Sequence, residues 1–148
     1  MNLFKWFNKK LNENLNKAGI YNIAGHFIMP EAMAPGGVVI DLGAHKGRFY
    51  NLMHQDYDAV CFGVEASPAL AKQLPTGKGI HTFNCAISST NGTVVLTLSN
   101  EPEANSLIPG IAANWGITET VTVSSITFET FLAGQKIPDT IAILKVDI

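Results

Sequence analysis

Cysteine is nearly absent: Cys61 and Cys85 are the only two in 148 residues, each inside an apolar run and with no Cys-x-x-Cys pair. That excludes a disulfide framework and suits reduced, buried thiols, so the expected compartment is cytoplasmic. Charge is also scarce, at 15% of residues with a formal net charge of −2. No global basic field exists to draw nucleic acid, which is not an expected partner. No apolar run approaches the ~20 residues that span a bilayer. The N-terminus starts basic, but Asn and Lys interrupt it too often for the apolar region of a signal peptide. No His/Cys/Asp/Glu cluster has metal-ligand spacing, so no metal is expected. Internal repeats and low-complexity tracts are lacking too.

What is present is a hydrophobic content of 47%, enough for one domain with a real core and too little chain for two. Residues 1–18 have the period of an amphipathic helix: Leu3, Phe7, Leu11 and Leu15 recur every fourth residue. Lys5, Lys9, Lys10 and Lys17 occupy other faces, and Phe4, Trp6 and Phe7 add aromatic surface. A basic amphipathic helix can lie on a membrane. Packing against the domain is the expectation, because the stripe is narrow and several Asn dilute the polar face. Gly19 suits a C-cap. A short helical or irregular piece should follow to Met33, and Pro35-Gly36-Gly37 breaks it. The division expected is an N-terminal helical segment, 1–35, and a main domain, 36–148.

From Val38 the pattern becomes strand, helix, strand, helix, strand. Val38-Val39-Ile40-Asp41-Leu42 reads as a strand buried on both faces. Residues 48–55 form a helix with Phe49, Leu52 and Met53 inward, and 59–65 a second strand. Ser67-Pro68 opens a helix to about Leu74, as an N-cap serine followed by proline does. Residues 80–87 form a third strand. The alternation implies parallel βαβ units with right-handed crossovers. Asn91-Gly92 then signals a turn, and 93–98 and 120–126 read as an antiparallel pair or an extension of the sheet edge. The long loop between them holds Pro102, Pro109 and Gly110. A short helix at 128–132 and a buried-type strand at 141–148 complete the chain.

The strongest local signal is Asp41-Leu42-Gly43-Ala44-His45-Lys46-Gly47 between a strand and a helix. Gly43 permits a sharp turn and close ligand approach. The helix that follows Gly47 offers free N–H groups to an anion. Asp41 can accept from an amine held in the loop. Such a site suits the amino-acid end of S-adenosylmethionine. His45 sits mid-loop, where a left-handed residue is often needed and His is enriched; a conformational and a chemical role both fit. Glu65, ending the next strand, suits the two hydroxyls of a ribose, although a solvated strand-end acid also reads this way. A nicotinamide enzyme would share that acid, but Gly-x-Gly-x-x-Gly is missing, since Ala44, His45 and Lys46 all separate Gly43 from Gly47.

With these residues in view, the chain resembles the FkbM-type S-adenosylmethionine-dependent methyltransferases over 38–148. The likeness rests on Val39-Ile40-Asp41-Leu42-Gly43-Ala44-His45-Lys46-Gly47, on Val64-Glu65-Ala66-Ser67-Pro68, on Asn84-Cys85-Ala86-Ile87-Ser88 with Asn91-Gly92, and on Leu144-Lys145-Val146-Asp147-Ile148. In that family the last strand continues into Glu-Gly, and this sequence stops just short of it. His45 stands where the family often has Asn, and Ala66 where Pro is common. The resemblance implies a Rossmann-like class I methyltransferase α/β fold: a partial parallel sheet with a β-hairpin insertion and an N-terminal helix. It implies S-adenosylmethionine as cofactor, with Asp41, Gly43, Ala44, His45 and Gly47 around the methionine part and Glu65 on the ribose. Ala66, Cys85 and Ala86 would border adenine. Lys145 and Asp147 would face the sulfonium or the acceptor, unless they form an ion pair at the strand end. Asn105-Ser106-Leu107 would add to the acceptor side.

The function expected is methyl transfer to a hydroxyl on a sugar or secondary metabolite. The alternative is a non-catalytic, truncated methyltransferase-fold module that acts in binding or assembly. If the chain stops at Ile148, one sheet edge keeps unpaired groups. Inertness is then expected, with self-association through that edge or membership of a longer product. The acceptor is not legible in these residues.

Overall fold

The computed structural model describes residues 3–137 and 140–148, with the side chains of 3–7, 109 and 118 outside the description. α1 (Leu3–Lys17) ends where Gly19, at φ +75°, lets the Ile20 N–H reach back to Leu15 O. Among the described side chains of this helix, the expected packing is seen at the last turn, where Leu15 alone is half-buried. Phe4, Trp6 and Phe7 lie outside the described side chains.

The next piece is neither helical nor irregular. β1 (Tyr21–Ile23) and β2 (His26–Ile28) form an antiparallel hairpin with Ile23 opposite His26. Its two-residue turn, Ala24-Gly25, has φ values of 51° and 94°, the positive pair that a type I′ turn requires. Asn22 Oδ1 accepts from the Gly25 N–H at 3.0 Å. Alanine at the first turn position hides the hairpin, since Asn-Gly or Gly-Gly is the usual signal. Ile23 is buried with Val39, Phe49 and Met53, so the hairpin docks on the main sheet.

That sheet starts with β3 (Val38–Leu42), followed by α2 (Arg48–Tyr57), β4 (Val60–Val64), α3 (Pro68–Ala71) and β5 (Ile80–Phe83). After β6 (Ala86–Ile87) come β7 (Gly92–Ser99), α4 (Pro109–Ala113), β8 (Ile117–Ile126), α5 (Phe128–Gly134) and β9 (Ile143–Val146). The main sheet is parallel, in the order β5-β4-β3-β9. This mixed α/β arrangement is compatible with a Rossmann-like fold. Residues of β3 alternate between two cores: Val39 packs with Phe49, Tyr50 and Met53 of α2, and Val38, Ile40 and Leu42 pack with Phe62 and Phe131. From β3 the chain builds outward through β4 and β5, then returns to the other side as β9. The carboxyl ends of β3 and β9 therefore flank a topological switch point, where open α/β sheets hold ligands.

Three further expectations need correction. The strand expected over 80–87 breaks at Asn84-Cys85, because the Asn84 side-chain amide donates to the carbonyls of Glu65 and Ala66 at 2.9 and 3.1 Å. Its second part, β6, joins a separate sheet of order β6-β8-β7. There β7 and β8 pair antiparallel from Gly92 opposite Ser125 to Ser99 opposite Ile117. The helix after Ser67 is shorter than expected, and the Ser67 side chain makes no capping bond. Lastly, β9 is not buried on both faces: Leu144 and Val146 are 45% and 58% exposed. Among the described residues no strand pairs with its outer edge.

Candidate functional site

The loop after β3 is strapped to β4 by its backbone. The Gly43 and Ala44 N–H groups both donate to Val64 O, at 3.0 and 2.9 Å. Gly43 has φ +77°, and a Cβ there would run into the Asp147 carbonyl. Glycine is thus needed for two reasons, the left-handed backbone and the close approach of the chain after β9. His45 also lies in the left-handed region, at φ +53°. Gly47, at φ +73°, packs on Tyr50 and Pro75 and starts α2 with no side-chain cap. Ala44 is buried beside Phe49.

Glu65 faces this loop. One carboxylate oxygen accepts from the His45 N–H and the other from the Ser67 N–H, both at 2.8 Å. Burial pushes its pKa up, and the two backbone N–H groups pull against that. The carboxylate thus holds the Gly loop and the start of α3 in register. Two accepted bonds leave lone pairs free for further donors, because an ionised carboxylate takes about four.

Asp41 is buried at the end of β3, on the α2 side. Its Oδ1 accepts from Lys145 Nζ of β9 at 2.8 Å, and Lys145 also donates to Gly43 O at 3.2 Å. Lys145 lies 3.6 Å from Asp147, whose side chain is 71% exposed. Desolvation raises the Asp41 pKa even though Lys145 opposes it. The second oxygen, Oδ2, is buried with no hydrogen-bond partner. A buried carboxylate oxygen left unsatisfied is costly, and such atoms call for an explanation.

Two cavities meet over Gly43. One is mainly apolar, walled by Val64, Ala66, Leu70, Cys85, Ala86 and Leu107, and also lined by Glu65. The other is polar, about 440 Å³, and takes in His26, Asp41, Arg48, Phe49 and Lys145. Gly43, His45, Glu103 and Asp147 line both. Every sequence-predicted site residue except Gly47 therefore borders this cleft, and Gly47 supports its loop. Asn105 and Ser106 line the apolar part. Their side chains also shape the loop: Asn105 Oδ1 accepts from the Ser99 N–H and Ser106 Oγ from the Ile108 N–H.

His26 and Glu103 are among the cleft residues that sequence reasoning missed. Neither belongs to a motif: His26 arrives on the hairpin, and Glu103 on the connection from β7 to β8. Lys145 is paired with Asp41, and Asp147 is open to solvent at the junction. Cys61 is fully buried, its thiol pushed up to about 12 by desolvation and the nearby Asp41 charge. Among the described residues no His/Cys/Asp/Glu group is placed to hold a metal ion, and no helix is long and apolar enough to cross a membrane.

No protein-family model matches this chain, and no curated protein matches it either. One solved structure is similar over part of its length: a protein from Anabaena variabilis, provisionally named a methyltransferase of an antibiotic biosynthesis pathway. The match has 17% identity and a TM-score of 0.35, and covers 53% of this chain and 26% of the other. The chain thus spans about a quarter of that structure's length, and the likeness at this level carries no functional weight.

Proposed function

We propose that this cleft binds S-adenosylmethionine and that the chain belongs to a methyltransferase acting on a hydroxyl of a small molecule or glycan, in keeping with its FkbM-type motifs. One observation carries the reading. A polar cavity with an unpartnered, buried Asp41 oxygen meets an apolar cavity along Gly43, His45, Glu103 and Asp147, and the buried Glu65 carboxylate lines the apolar side. That succession fits a charged amino-acid tail, a ribose and a flat heterocycle in turn. Asp41 Oδ2 would accept from the ammonium of the tail, and the uncapped start of α2 would face its carboxylate. Glu65 would accept from the ribose hydroxyls. Ala66, Cys85 and Ala86 leave room for the adenine ring because their side chains are small.

When bound, the cofactor supplies an electrophilic methyl group on a sulfonium. The chain's own contribution is placement. Lys145 holds Asp41 and the Gly43 carbonyl in one geometry, and the Glu65 bonds keep the loop closed on β4. Asp147, exposed at the mouth, would accept the proton of an incoming hydroxyl or orient it. Alignment of an acceptor with the methyl supplies most of the acceleration in such a transfer.

Calorimetric titration with S-adenosylmethionine tests this. Glu65→Ala should weaken binding by about 1–3 kcal/mol, as for loss of hydrogen bonds to a charged group. Unchanged affinity removes Glu65 from the site, and preferential binding of NAD overturns the reading. A second reading, a module for binding or assembly, draws support from the exposed apolar residues Leu144 and Val146 of β9 and Ile148 just past it. Light scattering that shows concentration-dependent oligomers, with no methyl transfer to glycans or small alcohols, would favour it.

A further inference from the structure

The polar cavity has a wall that no motif announces. The β1–β2 hairpin brings His26 and Ala24 to the same space as Asp41, Gly43 and Arg48. His26 is held there firmly. Its ring meets that of Phe49 edge-on, with centroids 5.2 Å apart at 75°. Phe49 is the second residue of α2, so the imidazole stands beside the first turn of that helix. Ile23, directly opposite His26 in the hairpin, is anchored in the core. The turn places Ala24 in a left-handed conformation, at φ +51°. Such strain persists only where surrounding structure enforces it.

The cavity is lined by both signs of charge, with Asp41, Glu103 and Asp147 beside Lys46, Arg48 and Lys145. Asp41 and Lys145 satisfy each other through one carboxylate oxygen, which leaves Asp41 Oδ2 as an unpartnered acceptor. His26, Lys46 and Arg48 gather around the start of α2, where no side chain caps the helix. Lys46 and Arg48 are exposed, whereas His26 is half-buried and fixed by its ring contact. A donor that is already immobile loses little entropy when it binds. The cavity therefore offers an unpartnered acceptor, Asp41 Oδ2, and a preset donor, His26, beside a helix N-terminus, the two kinds of group that a zwitterion needs.

We infer that His26, supplied by the N-terminal hairpin, is a cofactor-binding residue that donates to the carboxylate of the amino-acid tail. This rests on the S-adenosylmethionine reading above and extends the site to an element outside the Gly loop and sheet. It makes the hairpin part of the ligand site, so removing residues 1–35 would cost affinity as well as core.

The test compares two ligands on the full chain by calorimetry: S-adenosylhomocysteine, which carries the amino-acid tail, and 5′-methylthioadenosine, which lacks it. His26→Ala should weaken S-adenosylhomocysteine about 10-fold or more, the scale for losing a hydrogen bond to a charged group, and leave 5′-methylthioadenosine unchanged. His26→Gln keeps an N–H donor and should retain part of the affinity. Retained 5′-methylthioadenosine binding shows that each variant is folded. Equal weakening of both ligands in both variants would make His26 a structural residue and overturn the inference. Unchanged S-adenosylhomocysteine affinity in His26→Ala overturns it as well, with the cofactor reading intact. Failure of the unmodified chain to bind either ligand sinks the cofactor reading, and this one with it.

Discussion

β3 and β9 are neighbours in one parallel sheet and both are short apolar runs, yet they live in different surroundings. All five residues of β3 are buried, while β9 exposes Leu144 and Val146. The difference lies in what surrounds each. β3 has strands on both sides, α2 and the hairpin over one face, and α5 over the other. β9 has β3 on one side, and it is pinned mainly by the backbone ladder and by Lys145 reaching Asp41. The comparison teaches that composition marks a strand, whereas its neighbours decide its burial.

The largest effect should come from the pin. Lys145→Met would leave the Asp41 carboxylate buried and unpaired, at a cost of about 3–5 kcal/mol in urea unfolding. Loss below about 1 kcal/mol would show that the ladder alone holds β9. The sign with pH is defined. Burial already raises the Asp41 pKa above 3.8 in the folded chain, and removing Lys145 takes away the main opposing influence. The native state then binds a proton that the unfolded state releases, so the variant's deficit should shrink as pH falls toward 3.8 and grow as pH rises above it.

A smaller contrast separates the two strands directly. Ile40→Ala in β3 should cost about 2–5 kcal/mol, as large-to-small changes in filled cores do. Leu144→Ala in β9 should cost below about 1 kcal/mol, since surface changes are usually slight. Equal costs, read from paired denaturation curves, would mean that β9 is covered in solution by a contact among chains or segments.

The smallest effect concerns the thiols on β4 and beside the apolar cavity. Burial raises both pKa values, that of Cys61 to about 12. Neither should react with iodoacetamide in the native chain, and both should react in urea, as mass spectrometry can count. Rapid native labelling of Cys85 would show that the apolar cavity opens readily.

Legibility followed the range of the forces involved. β3, the Gly loop, α2 and β4 were plain because their signals are local: β-branched runs, two glycines and a helical period. The left-handed His45 was also readable, from its place between the glycines. The hairpin was not, because Ala24 stands where glycine or asparagine would have marked the turn. The split of 80–87 was hidden because its cause, the Asn84 amide, bonds to carbonyls on a different segment. His26 escaped for the same reason, since only the docked hairpin brings it to Asp41.

The order of strands and helices from β3 to β5, the sharp turn at Gly43 and the carboxyls at both strand ends were settled by the sequence, through steric preferences that act within a few residues. Tertiary structure decided the rest. It paired Lys145 with Asp41, gave both Glu65 oxygens to backbone N–H groups, and left one Asp41 oxygen without a donor. Those outcomes depend on which buried charge finds which partner once water is excluded, and contacts made across a hundred residues of chain have no signature in either of their ends.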